Sequence, residues 1–152
     1  MGSLRELYQS VILEHNRSPR NYRAMDDTTL TAQGNNPLCG DQVTVWLRVE
    51  DDVIREATFQ GSGCAISRAS ASLMTGAVTG KTRAEAEELF GRFQGLVTGK
   101  LDQNEAETLG KLAVFSGVSE FPIRIKCASL SWHAMKEALN GSEPPQTNPG
   151  AN

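Results

Sequence analysis

Imidazole and thiol are both scarce in this sequence: its 152 residues include two histidines and three cysteines. An odd cysteine count argues against a disulfide framework, so the thiols read as buried groups, metal ligands or reactive nucleophiles. Long apolar runs are missing too. No stretch of about 18 apolar residues occurs, which leaves no candidate for a membrane-spanning helix. The opening Met1-Gly2-Ser3-Leu4-Arg5-Glu6 has no apolar core of the kind a signal peptide needs, and the expected location is the cytoplasm. An excess of positive charge is also lacking, since 15 Lys and Arg stand against 18 Asp and Glu for a net charge of −3. Non-specific affinity for nucleic acid comes from clustered Lys and Arg. The expectation is therefore a partner set without nucleic acid or membrane.

What is present is enough for a core. Apolar residues make up 39% of the chain and the 14 glycines bring the total near the usual globular share, which excludes disorder throughout. The length fits one domain, assigned to residues 1–140. Residues 141–152 carry Pro144, Pro145 and Pro149 without periodic apolar positions and read as a disordered tail.

Leu4, Leu7, Tyr8, Val11 and Ile12 share one helical face. Ser3 with Glu6 forms a capping box ahead of it, and Ser18-Pro19 marks its end. From Asp41 the period becomes two, with Val43, Val45, Leu47 and Val49 on one side. Asp51-Asp52 makes a turn, and Val53, Ala57 and Phe59 continue the alternation, predicting an antiparallel hairpin. A weaker pattern over residues 28–33 suggests a third strand. Residues 65–78 read as a helix stopped by Gly80, and Thr82 with Glu85 as the capping box of the next, with Ala86, Leu89, Phe90 and Phe93 inward. Residues 95–117 predict a short helix carrying Ala106, Leu109 and Leu112. Pro122 opens a last helix whose inward face holds Ile123, Cys127, Leu130, Ala134 and Ala138. The fold class is α+β, with a small antiparallel sheet of about three strands packed against several helices.

Two phosphate-binding signals fail. Gly61-Ser62-Gly63 lacks the third glycine of a dinucleotide fingerprint, since position 66 is Ile, and Gly80-Lys81-Thr82 lacks the upstream glycine of a P-loop, since position 75 is Thr. The second reads instead as a helix stop followed by a cap. His133 lies six residues beyond Cys127 and so on another helical face, at the surface. His15, near the end of the first helix, suits the negative end of the helix dipole.

The remaining constellation is NPLCGD at 36–41, GSGC at 61–64 and Lys126-Cys127. Cys39, Cys64, Cys127 and Asp41 supply three thiolates and one carboxylate at element boundaries, the donor number a tetrahedral zinc ion takes. Each cysteine alone also fits a small buried hydrophobe, and no tight Cys-x-x-Cys pair favours metal.

Together NPLCGD at 36–41, GSGCAISRASASLM at 61–74 and IRIKCASLSW at 123–132 resemble the NifU N-terminal/IscU-like iron–sulfur cluster assembly family, specifically its SufU-type branch. The likeness runs from Leu4 to Leu139. It implies that Cys39, Asp41, Cys64 and Cys127 gather at one exposed tip as metal ligands, with Zn²⁺ as the cofactor and iron or a transient [2Fe–2S] cluster as the alternative. IscU-type scaffolds carry His immediately before the last cysteine, where this chain has Lys126, and a Pro-Pro-Val-Lys stretch just upstream, where it reads Glu120-Phe121-Pro122-Ile123-Arg124.

The implied activity is sulfurtransferase-like. A SufS-type, pyridoxal-phosphate-dependent cysteine desulfurase hands persulfide sulfur to this chain, which relays it to downstream cluster assembly proteins. Cys39, in a Pro/Gly loop, is the expected acceptor; Cys127 is the competing assignment. Arg124 and Lys126 are candidates for persulfide or partner contacts. The alternatives are a scaffold on which a [2Fe–2S] cluster is built and transferred, a thiol enzyme acting alone, for which no His is placed as base, and a structural zinc module.

Overall fold

The computed structural model describes residues 3–26, 30–37 and 40–140, with side chains from Tyr8 onward. Helix α1 (Ser3–Arg17) stops before Ser18-Pro19, as the proline requires. Tyr8, Val11 and Ile12 pack onto the core. The side chains of Ser3, Leu4, Glu6 and Leu7, and with them the capping box, lie outside the described residues, as do Cys39 and residues 141–152.

Strands β1 (Leu30–Asn36), β2 (Asp41–Glu50) and β3 (Val53–Ser62) form one antiparallel sheet in the order β1-β2-β3. The third strand ends later than the pattern over 28–33 suggested, because Gly34, Asn35 and Asn36 pair with β2 up to Asn36 opposite Asp41, while residues 28 and 29 lie outside the described residues. Cross-strand pairing overrides the poor strand propensity of Gly and Asn here. On β2 the inward set is buried as expected through Val43, Val45 and Leu47. On β3 the expected alternation slips. Arg48 pairs with Glu56 but Val49 with Ile54, so Arg55 is an extra residue in a bulge. One added residue exchanges the two faces, which buries Ile54 where Val53 was expected. Asp51 and Asp52 take the turn at φ +53° and +65°.

Helix α2 (Ala65–Val78) ends at Gly80, whose φ of +88° suits its role as a helix stop. Helix α3 (Arg83–Val97) opens with the full Thr82/Glu85 capping box. The segment after it corrects the single short helix expected over 95–117. Helix α3 runs on to Val97, α4 is one short helix (Gln103–Glu107) under an Asp102/Glu105 box, and a 3-10 segment (Gly110–Glu120) follows. Gly110 at φ +60° breaks the helical path, so Leu109 and Leu112 reach the core outside α4.

Helix α5 (Pro122–Asn140) is the centre of the molecule, packed against β1, β2, α2, α3 and the 3-10 segment. It is buried on more than one face: Cys127, Leu130, Ala134 and Ala138 point inward as expected, and so do Ala128, Trp132, Met135 and Leu139. Ile123 does not, being 56% exposed in the first turn, ahead of the point where α5 enters the core. Trp132 stacks on Phe93 at 4.4 Å between ring centroids, and Phe93 meets Phe115 edge-on at 5.8 Å. Truncating such a fully buried aromatic costs roughly 3–5 kcal/mol. No helix is long and apolar enough to cross a membrane among the described residues.

His15 has a different environment from the one expected. It is buried, with Nδ1 2.7 Å from Ser72 Oγ on α2, and burial lowers its pKa, so it packs as a neutral ring instead of serving the dipole as a cation. His133 is at the surface, edge-on to Phe90.

Candidate metal centre

Three backbone ends converge at one end of the sheet. Asp41 is the first residue of β2, Cys64 follows β3 and caps α2, and Cys127 lies in the second turn of α5. Their ligand atoms, one carboxylate oxygen and two sulfurs, all lie within 4.8 Å of one another. Asp41 is fully buried and Cys127 nearly so, while Cys64 reaches solvent. The cluster thus has a buried floor and an open side.

Local bonds aim two of the donors, Asp41 and Cys64. The Cys64 backbone N–H donates to Asp41 Oδ1 at 2.9 Å, which leaves Oδ2 turned toward the Cys64 sulfur at 3.8 Å. The Cys64 Sγ accepts from the Ser67 N–H at 3.4 Å, an N-cap geometry that holds sulfur at the positive end of α2. Gly63 makes this approach feasible. It sits at φ +151°, and a Cβ on it would lie 2.2 Å from Asp41 Oδ1. Gly61 is equally constrained, since a Cβ there would fall 2.1 Å from the Gln42 carbonyl oxygen. The sequence marks these glycines as points of close backbone approach; that Gly63 makes room for the carboxylate itself is visible only in three dimensions.

The donor set fits a metal ion. In a tetrahedral zinc site with Zn–S near 2.3 Å and Zn–O near 2.1 Å, sulfur and oxygen ligands are about 3.6 Å apart. The Asp41 Oδ2 to Cys64 Sγ distance of 3.8 Å is close to that separation. Among the described residues Asp41, Cys64 and Cys127 offer three ligands, and no histidine joins them.

Of the other expected residues, Arg124 and Lys126 are exposed in the first turns of α5 and diverge. Arg124 lies over the Phe121 ring at 4.5 Å and borders a groove with Tyr8, Leu13 and Ile66, whereas Lys126 borders a separate hollow with Asn36, Gln94 and His133. Both flank the segment that carries Cys127, from opposite sides.

Fold and site together define a small α+β domain that presents a thiolate and carboxylate cluster at one tip. The chain belongs to the NifU-like N-terminal domain family, whose model matches residues 7–141. It is similar to the zinc-dependent sulfurtransferase SufU of Bacillus subtilis, with 38% identity over 142 residues covering 93% of this chain and 95% of that protein. Its similarity to the iron–sulfur cluster assembly scaffold protein IscU of Streptococcus pyogenes is of the same order, with 39% identity covering 93% and 88%. Among solved structures, a chain from Fervidobacterium islandicum AW-1, described as a candidate iron–sulfur cluster assembly scaffold for the SUF system, superimposes with a TM-score of 0.80 at 32% identity, covering 88% of this chain and 97% of that one.

Proposed function

We propose that this chain is a SufU-type sulfur acceptor of iron–sulfur cluster assembly in the cytoplasm, taking persulfide sulfur from a SufS-type cysteine desulfurase and relaying it to downstream assembly proteins. The observation that carries the reading is the meeting of Asp41, Cys64 and Cys127 at a solvent-reaching tip. Cys39, two positions before Asp41 in the chain, completes a set of four donors. When bound, Zn²⁺ would keep these sulfurs deprotonated at neutral pH.

The transfer balances without an added oxidant. The acceptor thiolate attacks the outer sulfur of the desulfurase persulfide, the S–S bond there breaks, and the desulfurase cysteine leaves as thiolate while the acceptor becomes the persulfide. Cys39 is the proposed acceptor because Cys64 and Cys127 are fixed by helices, Cys64 as the cap of α2 and Cys127 inside α5. Asp41 is a hard oxygen donor among thiolates and lowers the cost of releasing a ligand. Lys126 and Arg124 supply positive charge beside the Cys127 segment for an anionic persulfide or an acidic partner surface.

The second reading, an IscU-type scaffold for a [2Fe–2S] cluster, is supported by the equal similarity to IscU proteins, and thiolates bind iron as readily as zinc. Lys126, standing where IscU-type scaffolds have a ligating His, favours the acceptor. The deciding experiment follows alanine release by a SufS-type desulfurase with and without the zinc-loaded chain. A saturable acceleration, abolished by Cys39→Ser and accompanied by one added sulfur on the wild-type chain by mass spectrometry, is the expected result. Acceleration that survives Cys39→Ser but not Cys127→Ser moves the acceptor to Cys127. No acceleration, with a coloured cluster forming on anaerobic reconstitution, replaces this reading with the scaffold.

A further inference from the structure

A second concave site lies on the flank of α2, away from the metal centre. It is a cavity of about 570 Å³ enclosed by the end of α1, α2, α3 and the 3-10 segment, within the range of about 300–1,000 Å³ usual for small-molecule pockets. Ser72 lines it, eight residues along α2 from Cys64, so it begins about 12 Å from the metal centre along that helix.

Its charge is one-sided. Among the described residues Arg20, Lys81, Arg92 and Lys111 line it and no Asp or Glu does, in a chain whose net charge is −3. Glu14, which does not line the cavity, pairs with Arg20 at 2.8 Å. Among the described residues Lys81, Arg92 and Lys111 are in no ion pair; Arg92 donates to the Thr108 hydroxyl. Arg20 and Lys81 follow the C-terminal ends of α1 and α2, where a cation is favoured by the helix dipole. That argument does not reach Arg92, inside α3, or Lys111, in the 3-10 segment.

The inner wall is built to receive a polar group. His15 is 93% buried and lines the cavity (7% relative exposure). Its Nδ1 is engaged by Ser72 Oγ, which also accepts from the Arg20 N–H at 2.8 Å, while its Nε2 has no partner among the described residues. In the tautomer in which Ser72 donates to Nδ1, Nε2 carries the ring proton and can donate to a group bound in the cavity that His15 lines. Leu73, Ala77, Leu89 and Leu112 form an apolar side. Four cations, one neutral donor and an apolar wall suit an anion of at least two charges attached to an organic body.

We propose that this cavity binds a small phosphate ester, with Arg20, Lys81, Arg92 and Lys111 around the phosphates, His15 Nε2 donating to one oxygen, and the organic part against Leu73 and Leu89.

Calorimetric titration of the full chain with ADP, inorganic pyrophosphate, adenosine and citrate, in metal-loaded and metal-stripped protein, tests it. ADP and pyrophosphate are expected to bind saturably and adenosine not. Affinity should fall at least tenfold in Lys111→Glu and in Lys81→Glu, both judged folded by their melting curves, and remain unchanged in Cys64→Ser. The His15 ring resonances should move during the ADP titration. Absence of saturable binding overturns the proposal, as does undiminished, wild-type affinity in both lysine variants. Binding that requires Cys64 or the metal would reassign the phosphate to the metal centre, and tighter binding of citrate than of either phosphate would refute the ligand class.

Discussion

Asp41 Oδ1 occupies the space that a side chain at Gly63 would need, since a Cβ there would lie 2.2 Å from it. The glycine and the carboxylate are two halves of one arrangement: the bare α-carbon brings the chain close enough for the Cys64 N–H to bond Oδ1 and orient Oδ2 toward the sulfur. Gly63→Ala must therefore move the carboxylate or the β3–α2 junction, and it also strains a backbone held at φ +151°. The expected cost is about 1–3 kcal/mol of stability. Zinc affinity should fall about 10- to 100-fold, the usual effect of disturbing what orients a ligand. Competition against a chromophoric chelator measures the second and thermal melting the first. An alanine variant with unchanged zinc affinity would show that Gly63 has no part in orienting Asp41.

Metal removal separates a functional centre from a structural one. The core built on Trp132, Phe93, Phe115 and the inner face of β2 does not include the ligands Asp41 and Cys64. Chelation is expected to lower the melting temperature while the far-ultraviolet circular dichroism of the folded state persists. At a free zinc concentration about a thousand times Kd, the stability lost on chelation is about 4 kcal/mol. Collapse of the helical signal on chelation at 25 °C would mean that the chain is a zinc-dependent fold.

The pH dependence of stability is set in part by His15. Burial is the main cause of its lowered pKa, and the neighbouring Arg20 charge adds to it. The unfolded chain, with a histidine pKa near 6.5, then takes up the proton more readily than the folded one. Stability is complete above about pH 6.5, declines as the pH falls from there toward the lowered folded value, and levels off below it. His133 is shifted in the same direction by burial and Lys136, but it is exposed and contributes less. Melts at pH 7.5 and 5.5 should show a smaller acid loss in His15→Asn than in the wild type. An equal loss in both would place the titrating group elsewhere.

Much of this architecture was legible because it depends on local chemistry. The Thr82/Glu85 capping box, the Gly80 stop, the proline that opens α5 and the alternation of Val43, Val45 and Leu47 are each fixed by a few neighbouring residues. Several misreadings share a cause, in that a partner on another strand or helix decides the outcome. Ile54 replaces Val53 in the core because a bulge forms against Arg48 and Val49, and Asn36 joins a strand because Asp41 pairs with it. His15 looked suited to the negative end of the helix dipole, but Ser72, 57 residues away, engages it in the interior. At the metal centre the residue types were readable, and the convergence of Asp41, Cys64 and Cys127 was implied by family resemblance. The clearance supplied by Gly63 needed the fold.

Ser70 is the polar link between α2 and α5, and its removal tests how rigidly α5 is held. Its hydroxyl donates to the Ala128 carbonyl and accepts from the Trp132 indole N–H at 3.1 Å, all within the buried core. Ala128 lies next to Cys127, so this bond registers the ligand-bearing turn of α5 against the helix that Cys64 caps. Ser70→Ala leaves a buried indole N–H without its acceptor, an expected cost of about 1–3 kcal/mol. Ser70→Thr preserves the hydroxyl but adds a methyl group to a packed interface, and it should retain part of the bond at the cost of some overpacking. Because the two sulfurs are positioned by the two helices, zinc affinity should fall with stability in Ser70→Ala. It should be unaffected by an equally destabilising truncation on the far side of the core, such as Val97→Ala in α3. If both variants weaken zinc binding equally, the effect belongs to global stability and Ser70 does not set the spacing of Cys64 and Cys127.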